Sequence, residues 1–186
     1  DFHKMAAIQP SDEEYLKTKV TELAKHRVIW LLILMISATF TGTIIQRFEE
    51  VLQSVVALTY FIPMLMDTGG NAGSQSATLI IRGLALEEIS LADIFKVLWK
   101  ELRVSIIVGV ILAIINFARI IIMRQASATI AATVSVSMLI TVILAKVIGG
   151  SLPILAKKLG LDPAIMAGPL ITTIVDALAL LAYFSI

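Results

Sequence analysis

Two carboxylates stand where a membrane-like sequence tolerates charge poorly. Asp67 is the single charged residue between Val51 and Ile81, and Asp176 is the single one between Pro163 and Ile186. A charge at the centre of a bilayer costs at least about 2.5–3.5 kcal/mol on insertion scales, so each needs a partner, water or an ion. Gly168, Thr172, Asp176, Ala179 and Tyr183 recur at helical spacing on one stripe. Ile171, Ile174, Leu178 and Leu181 occupy the opposite side, expected to meet lipid. Small and hydroxyl residues leading to a carboxylate form a lane for a cation, with Thr172 and backbone carbonyls as further oxygens. The competing assignment pairs Asp176 structurally with Arg119, Lys146 or a neighbouring amide.

Asp67, Asn71, Gln75 and Thr78 share a second stripe, which Arg82 extends. Glycines and amide side chains at membrane depth must face protein or a wet cavity. Asp67, Gly69, Gly70, Asn71 and Gln75 are therefore candidate lining residues beside Gly168, Thr172 and Ala179. For Gly69, Gly70 and Gly73, close helix packing competes with lining. Asp67 has the alternative of a lock to Arg82 or an amide. The run lacks the lysine and strand context of a phosphate loop.

The available ligands are oxygens. There is no cysteine, and His3 and His26 both precede the first apolar span. Soft-metal selection has no ligands at membrane depth. Mg2+ prefers oxygen, sheds its waters reluctantly and binds through one or two carboxylates plus retained water. One Asp per chain, doubled in a homodimer, would supply two. Sodium, calcium, manganese and protons fit the same inventory. A net charge of +1 gives no reason to invoke nucleic acid.

The elements that must position these groups read as spans. With 58% hydrophobic and 16% charged residues, the composition fits a chain whose outer solvent is lipid. Residues 1–27 read as a polar connector with a helix start at Ser11-Asp12-Glu13-Glu14 and a juxtamembrane helix through Lys25. Residues 28–186 read as the membrane domain. Its first span is Val28–Gln46, with Trp30 at an interface. An irregular second span follows within Val51–Ile81. An amphipathic segment, Arg82–Arg103, is expected to lie on the membrane surface, capped by Ser90 and Asp93. The third span is Val104–Ala118, extended to Met123. The fourth is Ala126–Ala145, ending at Lys146 and Gly149-Gly150, and the fifth opens at Asp162-Pro163. The fold expected is all-α, with five spans per subunit. Thr39, Thr41, Asn116, Ser135, Ser137 and Thr141 are assigned to hydrogen-bonding glue.

Twelve basic residues fall on the side of the N-terminus and three on the other. That asymmetry makes the N-terminus cytoplasmic and the C-terminus external, in a multi-pass cell-membrane protein. No internal repeat is visible, and five spans cannot divide into equal inverted halves, so a symmetric pathway would need two copies.

The run Pro63-Met64-Leu65-Met66-Asp67-Thr68-Gly69-Gly70-Asn71-Ala72-Gly73-Ser74-Gln75-Ser76-Ala77-Thr78 resembles the second-span signature of the MgtE magnesium transporters. The stretch from Leu155 through Asp162-Pro163-Ala164 and Gly168-Pro169 to Asp176 is similar to that family's fifth span, and Lys100-Glu101-Leu102-Arg103 also fits. The resemblance covers the chain from about Tyr15 to Ile186. It implies a homodimer of five-helix subunits, a pathway on the two-fold axis, and hydrated Mg2+ recognised by Asp176 of both subunits. Gly168 falls where some members place an asparagine near the ion. Members carry cytoplasmic N-terminal and CBS sensor domains joined by a plug helix. Residues from about Ser11 to Lys25 match the plug's position, and the sensor domains are expected to be missing from this chain, which starts at Asp1. By the same analogy Asp12, Glu13, Glu14 and Asp162 are candidates for a cytoplasmic regulatory metal site.

Three readings follow: a dimeric Mg2+ channel or facilitator, without enzyme activity, that also takes ions such as Mn2+; an intramembrane hydrolase using Asp67 and Asp176 as an acid pair; and a non-conducting scaffold subunit.

Overall fold

Long apolar runs become long helices because every backbone group in lipid must be satisfied within its own segment. The computed structural model describes residues 16–166 and 168–186, and among these every regular element is helical. The expected helix start at Ser11 and the acidic residues Asp12, Glu13 and Glu14 lie outside the described residues. Helix α1 (Val20–Arg47) runs without a break across the expected boundary at Arg27/Val28. A short α2 (Glu49–Ser54) and a 3-10 turn (Val56–Phe61) lead into α3 (Ile62–Ala85). A second 3-10 turn (Leu91–Asp93) opens α4 (Ile94–Ile122), and α5 spans Ala128–Lys158. A third 3-10 turn (Pro163–Met166) precedes α6 (Pro169–Ser185).

Four segments are long and apolar enough to cross a bilayer by length and composition: Val20–Arg47, Leu91–Ile122, Ala128–Lys158 and Pro163–Ser185. Helix α3 is not among them, because its glycines, amides and hydroxyls dilute its apolar residues. It nevertheless packs extensively against α5 and α6.

The structure corrects four expected element boundaries. The irregularity of the second span lies before Pro63, in α2 and the 3-10 turn; the glycine run from Asp67 to Ser76 is regular helix. Proline in the first helical turn costs no hydrogen bond, so Pro63 sits as the second residue of α3. The amphipathic segment is no separate surface helix: Ile94–Arg103 forms the first turns of α4, continuous with the third span. Ser90 and Asp93 do cap its start, Ser90 Oγ donating to Asp93 Oδ2 at 2.6 Å and the Ser90 amide at 3.1 Å. The fourth span does not end at Lys146. Helix α5 continues through Gly149-Gly150 and Pro153 to Lys158, and Lys146 is buried within it. The fifth helix starts at Pro169, after a backbone reversal at Gly168 with φ +55°, a conformation that favours glycine.

Lipid removes the hydrophobic force between spans, so close approach and dispersion must hold them. Gly149 shows how close that approach is: a methyl group there would run into the Gly73 carbonyl, with Gly73 Cα 3.0 Å away. Three apolar clusters follow the bundle axis. One gathers Phe61, Leu65, Ile120, Val134 and Leu180; a middle one Val142, Ala145, Ile171 and Val175; a third Ile80, Leu84, Val97 and Ile154. Ile171 is thus fully buried against α3 and does not face lipid. The Tyr183 hydroxyl donates to Leu58 O at 3.0 Å, and Phe184 stacks on Phe48 at 4.8 Å, fixing α6 to the turn before α3 and to the end of α1.

Candidate functional site

Helices α3 and α6 approach because Gly70 offers no side chain to Thr172: a Cβ on Gly70 would sit 2.9 Å from Thr172 Cγ2. Beside that contact lies a cavity of about 180 Å³ lined by Met66, Asp67, Gly70, Asn71, Thr172 and Asp176. Asp67 and Asn71 are one turn apart on α3, as are Thr172 and Asp176 on α6, so two short ladders of oxygen ligands face one space. Asp176 lies seven residues beyond Pro169, about 10 Å along the helix, half the depth expected from a start at Pro163.

Among the described residues, neither carboxylate makes a hydrogen bond or ion pair. Arg119 and Lys146, the basic partners weighed for Asp176, do not line the cavity. The Arg119 guanidinium is instead engaged by Asn116 Oδ1 at 2.9 Å, Gln125 Oε1 at 3.2 Å and Met64 Sδ at 3.2 Å. Thr172 Oγ1 donates its proton to Pro169 O at 2.8 Å, which leaves lone pairs as what it can offer the cavity. Two like charges, an amide and a hydroxyl oxygen then share a space with no cation of the chain's own. Such a donor set fits a hard cation carrying part of its water. Among the described residues no three or more His, Cys, Asp or Glu side chains cluster as a metal site, so one chain alone builds no dehydrating cage.

Other sequence candidates fall elsewhere. Gly69 and Gly73 are packing residues: a Cβ on Gly69 would meet Thr141 at 2.7 Å and Val175 at 2.8 Å, and one on Gly73 would meet Ile171 at 2.8 Å. Ala179 is buried and Gly168 serves the backbone reversal, so neither lines the cavity. Gln75 is exposed on the face of α3 that carries Asp67 and Asn71, beyond the cavity. Asp162 accepts from the Ala164 amide at 2.9 Å and lines a separate cavity of about 200 Å³ with Lys157 and Leu84. Met66 was missed because an apolar methionine beside an aspartate carries no signal in sequence. The hydroxyls expected to act as glue between spans do not bond across helices here: Ser137 donates to Thr133 O and Thr39 to Met35 O, each four residues back in its own helix, while Ser135 Oγ and Thr141 Oγ1 are buried without partners.

One buried polar contact was not foreseen. Ser76 Oγ on α3 donates to Glu101 Oε2 on α4 at 2.6 Å. Glu101 occurs within the run already singled out before the third span, but nothing in its spacing says that it faces inward.

Comparison with known proteins agrees with these residues. A family model, MgtE, described as a divalent cation transporter, matches residues 62–186. The chain is 38% identical over its whole length to the magnesium transporter MgtE of Thermus thermophilus, covering 41% of that protein. Over 96% of its length it is 38% identical to the Bacillus subtilis magnesium transporter MgtE, covering 42% of it. A third relative, from Enterococcus faecalis, is 27% identical over the whole chain, which spans 40% of it. The chain therefore spans about two fifths of the length of these curated relatives. The chain belongs to the MgtE family of divalent cation transporters.

Proposed function

We propose that this chain is the membrane-embedded part of a Mg2+ transporter, not an enzyme, in which Asp176 of two subunits recognises a largely hydrated ion. The observation that carries the reading is the cavity between α3 and α6, where Asp67, Asn71, Thr172 and Asp176 present oxygens without a basic counter-group. Two carboxylates repel in a space of that size, and a divalent guest relieves the repulsion. The same ligands accept other divalent ions such as Mn2+.

Exposure on one subunit supports a homodimer. Asp67, Asn71, Gln75, Thr78 and Arg82 form an exposed polar stripe along α3. Lipid would not tolerate it, whereas a second copy enclosing a wet pathway would. In this reading α3 counts as the second of five spans. Residues 1–27 form a cytoplasmic connector, residues 28–186 conduct, and the C-terminus is external. Cytoplasmic N-terminal and CBS sensor domains belong to the full assembly, as the length of the relatives suggests. Asp162 with Asp12, Glu13 and Glu14 is the candidate regulatory metal set.

The cavity brings the two aspartates together as the hydrolase alternative also requires, so proximity does not separate the two. Family membership does, and it likewise weighs against a silent scaffold. The test is complementation of a Mg2+-uptake-deficient cell by Asp176→Ala, with cross-linking in membranes as the assembly control. Failure to support growth with the two-subunit species retained is expected. Wild-type growth, or a conducting monomer, would refute the reading.

A further inference from the structure

At the end of the bundle where α4 closes and α5 begins, a cleft of about 530 Å³ is lined by Tyr60, Phe61, Met64, Arg119 and Gln125. It lies apart from the cavity of Asp67 and Asp176 and takes no part in the account above. Arg119 is held in place by Asn116 Oδ1, Gln125 Oε1 and Met64 Sδ, all uncharged acceptors. No carboxylate lines the cleft, and among the described residues none pairs with Arg119. None of these neutral acceptors offsets the guanidinium charge, and its Nε–H and one Nη1–H are left to donate, each singly, to the oxygens of an anion.

The surroundings specify what kind of anion. Arg119 occupies the last turn of an apolar helix, the level at which Arg and Tyr anchor at a membrane interface. Tyr60 beside it is 73% exposed, and Ile122 and Met123, three and four residues on, are 78% and 60% exposed. An anion with a hydrocarbon tail satisfies both halves of this surface; a soluble anion leaves the apolar half bare. The wall holding the aromatics is tied to α6, because Tyr183 Oη donates to Leu58 O two residues before Tyr60.

We propose that this cleft binds the phosphate of an anionic phospholipid, with Arg119 as the anchoring ligand and the acyl chains lying over Ile122 and Met123.

The test is native mass spectrometry of the full-length protein in detergent doped with equal amounts of phosphatidylglycerol and phosphatidylcholine. The wild type retains phosphatidylglycerol preferentially. Arg119→Gln loses retention by about fivefold or more, the scale expected for one interfacial arginine. Arg119→Lys keeps part of it, and Arg124→Gln, an exposed neighbour outside the cleft, leaves it unchanged. Equal retention in Arg119→Gln, no preference in the wild type, or displacement of the lipid by inorganic phosphate would each overturn the proposal. Should Arg119→Gln fail to assemble, Tyr60→Trp with Arg119 intact gives the second reading. Fluorescence added by that tryptophan is quenched more strongly by brominated phosphatidylglycerol than by brominated phosphatidylcholine, and equal quenching contradicts the site.

Discussion

Gly73 of α3 and Gly149 of α5 meet backbone to backbone, so that even a methyl group on Gly149 has no room beside the Gly73 carbonyl. Helix α3 carries Asp67 and Asn71 two turns or less away, and its seat against α5 sets where those ligands stand. Gly149→Ala should therefore separate the helices and disturb the cavity at a distance. The obstacle is backbone, which cannot rotate aside as a side chain would. Overpacking costs about 1–3 kcal/mol where neighbours can yield, so the upper part of that range is expected here. A lowered Tm in detergent together with reduced flux would bear this out. A fully stable Gly149→Ala protein would mean that the crossing is looser than the geometry shows.

The Ser76–Glu101 hydrogen bond ties the opposite flank of α3 to α4 at 2.6 Å. Interhelical hydrogen bonds in membranes are worth about 0.6 kcal/mol on average and about 1.7 at most. A double-mutant cycle of Ser76→Ala and Glu101→Ala, each of which removes one partner, should return a coupling energy in that range by denaturant unfolding. Zero coupling would show that Glu101 is stabilised by something other than Ser76.

Gly70 and Thr172 predict a graded effect at the cavity itself. Gly70→Ala places a methyl group 2.9 Å from Thr172 Cγ2, which must yield or shift α6. Combining it with Thr172→Ser removes the obstructing methyl and keeps the hydroxyl. Flux lost in Gly70→Ala and largely restored in the double variant is the expected pattern, measured as Mg2+ uptake into liposomes. Equal loss in both would show that the methyl clash is not the cause.

Much of this architecture is legible in residue types because lipid imposes simple rules. The uncharged runs Val28–Gln46, Val104–Ala118 and Ala126–Ala145 announce the apolar middles of the helices Val20–Arg47, Leu91–Ile122 and Ala128–Lys158. The spacing of Asp67 with Asn71, and of Thr172 with Asp176, names four of the six lining residues of the cavity. What could not be read is where helices stop. Gly149-Gly150 looks like a terminus because glycine weakens a helix, yet here the missing side chains are what let α3 approach. Pro163 looks like a helix start, and so does Pro169. Only the positive φ of Gly168 between them decides for the latter, and backbone dihedrals have no signature in composition. Lys146 reads as an interface marker because a lysine is costly inside. Its burial at 6% exposure depends on neighbours far away in the chain. Periodicity puts Ile171 on the lipid face, because it finds a stripe but not the partner that stripe meets.

The central claim is that the oxygen ladder formed by Asp67, Asn71, Thr172 and Asp176 admits a hydrated divalent cation. Mg2+ uptake into liposomes, read with an internal fluorescent indicator, should be compared for the wild type, Asp67→Asn, Asp176→Asn and Asn71→Asp. The account predicts that Asp176→Asn abolishes uptake and Asp67→Asn reduces it, while Asn71→Asp, which adds a carboxylate to the same cavity, retains uptake and slows it by holding the ion more tightly. Unchanged uptake in Asp176→Asn, in protein shown to be inserted and assembled, would contradict the account.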